Sequence, residues 1–340
     1  TNRLNVAQTG TLYHAVFEGV VQQLIIQQLS LRDISQKALQ QLVADNMAEI
    51  TAQPAYQMLQ ETGKMRATQH YLAKVSEILA VNMQRAARVN HAQPKAVERL
   101  FGFPNRQSLP ALVVSTPQAT VHLRGKIDRL DSQDPSQVYG TIIDYKSNGK
   151  HFDWGQAYDG RQMQLLTYWQ AAQLSAEQLG IEAIGGAFFA KIAPEKLTIK
   201  DFKGDVRAML RGEIKPEQFK YRGLFISEPA YIDSLETLAE GEGSQFYQLK
   251  KKANGELYAN SDVILPEDFE LLLKRNLDNI QRASAAILSG DFPLSPAEGG
   301  LQFTPFTDVL RFDRALGDQY KSNTPKNKSD ILKLLKADEE

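Results

Sequence analysis

The sequence predicts an α/β or α+β fold in which a mostly helical opening is followed by a sheet with helices packed on it. In the first ninety residues, apolar side chains recur at close to the helical period. From about residue 111 onward, short alternating or β-rich segments are followed by a helical segment and then by another apolar strand. The 340 residues suffice for one large domain or two ordinary ones.

The opening comprises three predicted helices, over residues 10–29, 32–47 and 65–88. The first has one apolar face with a spacing of four residues, formed by Leu12, Val16, Val20 and Leu24. A break is expected near Gln53-Pro54, and Pro94 is expected to end the helical part, because proline cannot donate the hydrogen bond that continues a helix.

Two strands joined by a polar turn are predicted next. Residues 120–130 alternate between apolar and polar side chains, which is typical of a half-buried strand. A turn is expected from Asp131 to Gln137, and the second strand, Tyr139 to Lys146, is rich in β-forming residues. These segments form a predicted hairpin.

The remaining pattern predicts a helix over 160–179, a buried strand over 184–192, a long helix over 266–289 and a short helix over 329–338. Residues 200–260 show no clear pattern. We therefore predict four parts: a helical part (1–95), a catalytic core (96–200), a remainder with a C-terminal clasp (201–316) and a polar tail (317–340).

Composition excludes several classes of chemistry. The chain has no cysteine, which rules out disulfides, thiolate catalysis and cysteine-ligated zinc or iron–sulfur clusters, and which fits the cytoplasmic location that we predict. It has no apolar run long enough for a membrane helix and no signal-peptide pattern, and the missing initiator Met suggests a piece excised from a longer protein.

Net charge and the absence of two motifs limit the kinds of DNA-acting protein that this chain could be. The net charge of −1 disfavours a protein that holds DNA alone, because phosphate neutralisation supplies most of that affinity. A catalytic domain to which a partner feeds DNA remains compatible with this charge. The chain has no G-x-x-x-x-G-K-[ST] phosphate loop, so we expect no ATPase motor, and no G-x-S-x-G nucleophile elbow.

The hairpin carries the residues best suited to chemistry. Asp128 and Asp144 are predicted to end the two strands at the same edge, and Lys146 shares a strand face with Asp144. Two carboxylates suit Mg²⁺ or Mn²⁺, and a lysine beside the attacking water can stabilise charge on a phosphate. Ordinary surface charges at strand ends are the alternative, which the apolar lead-in 141–143 disfavours.

Three further side chains are candidates on weaker patterns. Gln164 and Tyr168 lie four apart on one helix face and could contact a phosphate or a base, although a Tyr packed on the sheet beside an incidental Gln is the simpler explanation. His14 could add a nitrogen ligand, with Glu18 one turn later as its hydrogen-bond acceptor. Otherwise His14 is an ordinary helix residue and Glu18 a solvated one.

Taken in order, these motifs resemble the RecB-type branch of the PD-(D/E)XK nucleases. They are Gly10-x-x-x-His14, Gly125-x-Ile127-Asp128-Arg129, Ile143-Asp144-Tyr145-Lys146-Ser147 and Gln164-Leu165-x-x-Tyr168. Within that branch, the sequence is most similar to the C-terminal nuclease domain of the B subunit of AddAB/RexAB helicase–nucleases. The resemblance covers about residues 10–315.

The resemblance implies a fold, an activity and partners. The implied fold is a mixed sheet flanked by helices, with a helical N-terminal part and a C-terminal helical extension. His14, Asp128 and Asp144 would ligate the metal together with the Tyr145 carbonyl. Lys146 would activate or position water, while Gln164 and Tyr168 would support the site and the DNA. Family members act on DNA ends in double-strand-break repair together with a helicase partner, the A subunit, and the B-subunit nuclease typically degrades the 5′-ended strand.

One departure from the family concerns its iron–sulfur cluster. Many B subunits hold the cluster partly through C-x-Y-C-x-Y-x-x-V-C-x-F-D, whereas the matching stretch 301–313 has no cysteine and carries Leu301, Thr304 and Leu310 at those positions. This resembles the cluster-free, RexB-type branch. We predict that Leu301, Phe303, Phe306 and Leu310 pack together as a clasp in place of the cluster; a generic amphipathic stretch is the alternative.

Two other functions stay open at this stage. The first is an inactive nuclease-like module that binds DNA or a protein partner. The second is a metal enzyme that acts on something other than nucleic acid, which the near-neutral charge allows.

Overall fold

The computed structural model describes residues 4–133, 138–193, 219–291, 294–297, 299–301, 304–321 and 327–338. The chain divides into two compact units, each assembled from separate stretches of sequence. The first comprises Thr1–Leu112, Arg124–Phe152 and Gln164–Phe269, and the second Val113–Leu123, Asp153–Met163 and Glu270–Glu340. The predicted linear division at residues 95, 200 and 316 stays a prediction.

The first unit opens with helical segments, which include the three helices that the sequence predicts. They are α1 (Val6–Ile26), α2 (Gln36–Thr51), a 3₁₀ turn (Pro54–Tyr56), α3 (Met58–Glu61) and α4 (Gly63–Asn90). α1 begins at a capping box, in which the Gln8 N–H donates to Asn5 Oδ1 at 2.8 Å and the Asn5 N–H donates to Gln8 Oε1 at 3.0 Å. α2 starts four residues later than predicted because the Ser35 side chain caps it.

The strands are β1 (Ala92–Phe101), β2 (Leu112–Ser115), β3 (Thr120–Leu123), β4 (Gly125–Gln133), β5 (Tyr139–Lys146), β6 (Ala183–Lys191), β7 (Arg222–Ile226) and β8 (Val263–Ile264). Within the described residues, six of them form one sheet in the order β1-β4-β5-β6-β7-β8, while β2 and β3 pair separately. The β5–β6 and β7–β8 pairs are parallel and the other pairs of the large sheet are antiparallel. This mixed sheet with helices confirms the predicted fold class.

Three predictions around the hairpin are wrong. Pro94 lies inside β1, at a register shift, instead of ending a helical part. The strand predicted over 120–130 is two strands that are interrupted at Arg124. β4 then continues to Gln133, so Asp128 lies inside the strand. Asp131 also belongs to the sheet, where it pairs with Thr141 of β5 and forms a buried ion pair with Arg129. Residues 134–137 of the predicted turn lie outside the described residues.

The helix predicted over 160–179 is two helices, α6 (Gln164–Gln173) and α7 (Ala176–Leu179), after a short α5 (Trp154–Tyr158). α7 ends at Gly180, whose φ of 69° is the left-handed conformation that glycine adopts easily at a helix end. The region without a clear pattern contains β7 and α8 (Pro229–Leu235).

The core of the first unit lies where α1, α2 and α4 meet one another and the sheet. All four predicted apolar residues of α1 are fully buried there, which confirms its amphipathic face. Gly19 allows α1 to approach α2 closely, because a Cβ at this position would overlap the side chain of Asn46. Sheet residues of the same core are Ile143, Tyr145, Phe188 and Phe225. The core therefore fixes α1 against the strand that carries Asp144.

The second unit contains most of α9 (Pro266–Ser289), together with α10 (Thr307–Leu310), a 3₁₀ turn (Arg314–Leu316) and α11 (Lys328–Ala337). The predicted bounds of α9 are confirmed, and α11 lies one residue from its predicted position. Over the helices of the described ranges, none is both long and apolar enough to span a bilayer.

The predicted clasp does not form as expected. Phe306 is 61% exposed and Leu310 is 38% exposed, and the four-residue helix α10 buries none of its residues. The predicted clasp requires buried apolar side chains, and the exposure of Phe306 and Leu310 contradicts it. Phe303 lies outside the described residues.

Candidate active site

The antiparallel pair β4–β5 brings Asp128 and Asp144 together. Arg129 lies opposite Ile143 in the register, so the preceding and following positions, Asp128 and Asp144, are cross-strand neighbours. The backbone N–H of Tyr145 donates to Asp128 Oδ2 at 2.9 Å and orients that carboxylate. Asp144 is 1% exposed and Asp128 is 8% exposed. Two buried carboxylates thus lie side by side, although only Asp144 is near a strand end as predicted.

His14 reaches this pair from α1. Its Nδ1 lies 3.6 Å from Asp128 Oδ2, and its ring meets the Tyr145 ring edge-on with centroids 5.8 Å apart. The charge of Asp128 and the backbone of Tyr145 both favour the protonated imidazole and act to raise the pKa of His14. The structure thus brings His14 next to Asp128 and Tyr145, and their role as metal ligands stays a prediction.

Lys146, Gln164 and Tyr168 surround the other carboxylate. Lys146 Nζ lies 2.5 Å from Asp144 Oδ2, and Gln164 Nε2 donates to Asp144 Oδ1 at 2.8 Å. The same Gln164 nitrogen donates to the Tyr168 hydroxyl at 3.1 Å. The two residues lie four apart on α6, and Tyr168 therefore helps to hold the Gln164 side chain against Asp144. Oδ1 of Asp144 thus accepts a hydrogen bond and Oδ2 faces the Lys146 ammonium, but this buried Oδ2 has no hydrogen-bond partner among the described residues.

Burial and charge shift the proton affinities of these groups. Burial, reinforced by the nearby negative charge of Asp128, raises the pKa of Asp144 from 3.8 to about 6, against the opposing effect of Lys146. Burial lowers the pKa of His14, although the charge of Asp128 opposes this. The imidazole is consequently neutral near pH 7, which is the form that binds metal ions.

The described residues contain no group of three or more His, Asp or Glu side chains that could hold a metal ion as they are placed. The reason is local: His14 contacts Asp128, whereas the carboxylate of Asp144 is occupied by Lys146 and Gln164. Glu18 is partly buried, and burial raises its pKa, but no hydrogen bond joins it to His14 in the described part of the chain.

Two features of the site were not predicted. A buried ion pair beneath the site joins Arg129 to Asp131 through two contacts of 2.6 Å, and the guanidinium also donates to the Tyr145 hydroxyl at 3.4 Å. Opposite charges two residues apart in a strand share one face, and this spacing could have indicated the pair. The second feature is Lys150, whose ammonium lies over the ring of Phe189.

Comparison with known proteins agrees with this geometry, because residues 1–299 match the PD-(D/E)XK nuclease superfamily. The chain belongs to this superfamily. The relationship predicted from the four motifs is thereby confirmed at the level of the superfamily.

Several similar proteins are named as B subunits. One from Leuconostoc citreum (strain KM20), named as the B subunit of an ATP-dependent helicase/deoxyribonuclease, is 99% identical over 340 residues, which are 100% of this chain and 29% of that protein. Proteins of the same name from Leuconostoc mesenteroides subsp. mesenteroides and Oenococcus oeni are 56% identical over 337 residues and 32% identical over 361 residues. Each match covers 99% of this chain and 29% or 30% of the relative. The chain thus spans less than a third of the length of the curated relatives it matches.

Proposed function

We propose that this domain is a Mg²⁺- or Mn²⁺-dependent deoxyribonuclease in which His14, Asp128, Asp144 and the Tyr145 carbonyl hold the metal. The observation that carries the proposal is the 2.5 Å contact between the partly exposed Lys146 and the buried Asp144, formed beside a second buried carboxylate. Such a pair supplies one group to bind a cation and another to stabilise charge on a phosphate. Membership of a nuclease superfamily supports the same chemistry.

The donor set fits a divalent cation. Carboxylate and carbonyl oxygens suit Mg²⁺ and Mn²⁺, and a neutral imidazole adds a nitrogen that Mn²⁺ accepts. The raised pKa of Asp144 arises in part from Asp128, and a cation between the two carboxylates would relieve that repulsion. Binding would require the Lys146 ammonium to give up its contact with Asp144, and this side chain is partly exposed and can hydrate.

The chain's own residues then have distinct roles. Bound Mg²⁺ or Mn²⁺ would neutralise charge on the scissile phosphate and make the attacking water more acidic. Lys146, released from Asp144, donates hydrogen bonds to that water or to the phosphate. The Tyr145 N–H keeps Asp128 oriented, and Gln164, itself held by Tyr168, keeps Asp144 oriented. We propose that Gln164 and Tyr168 also contact the DNA strand.

We further propose that the domain works as the exonuclease of a helicase–nuclease complex. The relatives are named as B subunits of an ATP-dependent helicase/deoxyribonuclease, and this name implies a companion A subunit together with a DNA substrate. The absence of a phosphate loop in this chain agrees with an ATP-driven motor elsewhere in the complex. In this role the domain degrades the 5′-ended strand during double-strand-break repair in the cytoplasm.

End-labelled DNA with single-stranded tails tests the activity. Wild-type chain and a Lys146→Ala variant are compared with Mg²⁺, with Mn²⁺ and with excess EDTA. We expect metal-dependent products from the wild type and none from the variant. Label at the 5′ or the 3′ end distinguishes the strand that is degraded. Cleavage that persists in Asp144→Ala would show that the site is misassigned.

An inactive DNA-binding module is the competing function, and the absence of a preformed three-ligand group among the described residues is the observation that favours it. Calorimetric titration with Mn²⁺ separates the two. A nuclease should bind Mn²⁺ and lose that binding in Asp128→Asn, whereas an inactive module should bind poorly in both forms.

A further inference from the structure

Lys150 lies in the loop that follows β5, the strand that carries Asp144 and Lys146. Its backbone N–H donates to the Asn148 carbonyl at 2.9 Å, which holds the loop in a turn. The turn directs the side chain back over Phe189, with Nζ 4.9 Å from the ring centroid. A lysine that lies over an aromatic face at this distance is held by the ring's negative electrostatic potential. Lys150 is therefore a positioned cation, although it is partly exposed.

Phe189 places this cation at the site. The ring belongs to β6, where Phe189 is the parallel-strand partner of Asp144, and it is almost fully buried. Lys146 Nζ lies 5.6 Å from the same ring centroid. One aromatic ring thus supports two ammonium groups next to the buried carboxylate.

The two lysines differ in how their charges are balanced. Lys146 is paired with Asp144 at 2.5 Å, whereas no carboxylate of the described residues lies within ion-pair distance of Lys150. Burial and then the charge of Lys146 lower the pKa of Lys150, and the attraction of Asp144 opposes this only in part. A cation held close to another cation and without a carboxylate partner of its own is stabilised when an anion binds.

We propose that Lys150 binds a phosphate of the DNA strand next to the scissile one. The inference rests on the proposed nuclease function, in which Lys146 serves the scissile phosphate. Since the ring of Phe189 supports both ammonium groups, the two lysines form adjacent binding points for a backbone with regularly spaced negative charges. Lys150 thus adds a second positive charge beside the site, in a chain whose net charge is −1.

Binding of oligothymidylate to the full chain in EDTA tests the proposal without requiring catalysis. Fluorescence anisotropy gives the affinity of wild type, Lys150→Gln and Lys37→Gln over a series of salt concentrations. Lys37 is an exposed lysine of α2 and serves as the matched charge control. For a lost phosphate contact, the slope of log K against log salt should become shallower by about 0.7 in Lys150→Gln and stay unchanged in Lys37→Gln.

Cleavage kinetics provide the second measurement. We expect Lys150→Gln to raise KM by about tenfold at moderate salt while kcat changes little, because the contact holds the strand in both ground and transition states. Lys150→Arg should restore most of the affinity. Phe189→Leu should resemble Lys150→Gln in its salt slope, provided that it folds.

The outcomes separate this inference from the proposed function. If the wild type cleaves DNA but Lys150→Gln and Lys37→Gln have the same slope and KM, Lys150 binds no phosphate and only this inference fails. If the wild type does not cleave DNA with any metal, the proposed function fails, while a shallower slope in Lys150→Gln would still show that Lys150 contacts DNA.

Discussion

Replacing Asp144 with asparagine would remove a negative charge from the more deeply buried carboxylate of the site while keeping the shape of its side chain. An asparagine oxygen can still accept the hydrogen bond that Gln164 donates to Asp144 Oδ1. Lys146 loses its partner, but it is partly exposed and can hydrate. The substitution therefore isolates the energetic effect of the charge.

The size and sign of that effect follow from the pKa of Asp144, which burial and Asp128 raise from 3.8 to about 6. The folded state holds this proton more tightly than the unfolded chain, so the ionised carboxylate destabilises the fold above about pH 6. At 1.36 kcal/mol per pKa unit, the penalty is about 3 kcal/mol at high pH. It decreases as the pH falls through 6 towards 3.8 and vanishes below both values.

We therefore expect Asp144→Asn to be inactive as a nuclease yet more stable than the wild type, by up to about 3 kcal/mol near pH 8 and by almost nothing near pH 4. Urea unfolding in EDTA at several pH values measures this difference. Trp154→Phe provides a useful background, because the remaining tryptophan, Trp169, is buried in the unit that contains the site. Asp45→Asn, at an exposed position of α2, is the control.

Two results would refute the reasoning. The first is an Asp144→Asn variant that is less stable than the wild type near pH 8. The second is a stability difference that does not shrink as the pH is lowered. Saturating Mn²⁺ gives a further check: it should stabilise the wild type by about 2.7 kcal/mol at a hundredfold excess over Kd, and it should stabilise the variant much less.

Three further predictions concern the neighbours of Asp144. Gln164→Leu removes a hydrogen bond to a charged group, which is worth about 1.5–3 kcal/mol. Single-turnover cleavage should therefore slow by roughly 10- to 150-fold. An unchanged rate would show that Gln164 does not position Asp144. Arg129→Met leaves Asp131 buried without its partner and should lower the free energy of unfolding in urea by about 3–5 kcal/mol. The double variant Arg129→Met with Asp131→Leu should recover much of that stability. Equal losses in the single and double variants would argue against a buried ion pair. His14→Ala should weaken Mn²⁺ binding in calorimetry by at least about tenfold, and unaltered affinity would exclude His14 as a ligand.

Local patterns were sufficient for the elements whose sequence carries them. The apolar spacing of α1 predicts a buried face that the structure has, and the β-rich run at Tyr139–Lys146 coincides with β5. The bounds of α9 are also as predicted, because Pro266 and Gly290 mark its ends. In each case the signal lies within a few residues of the element that it specifies.

Elements that depend on distant partners were missed. β1 has mostly half-buried residues and contains a proline, so it shows little strand pattern of its own, and its pairing with β4 defines it. β4 extends through Asp131 because Arg129 neutralises that carboxylate inside the core. The exposed Phe306 and Leu310 show the converse, since apolar spacing alone does not guarantee that a partner surface exists nearby.

The sequence by itself determined which side chains are available for chemistry, their order along the chain and the nuclease superfamily to which the chain belongs, because motif and composition are properties of residue type and spacing. The tertiary structure alone decided which of those side chains meet. His14 contacts Asp128, and Gln164 contacts Asp144, through strand pairing and helix packing between segments far apart in sequence. It also decided the charge state of the site, since the raised pKa of Asp144 and the two cations on Phe189 depend on burial and proximity that no local pattern encodes.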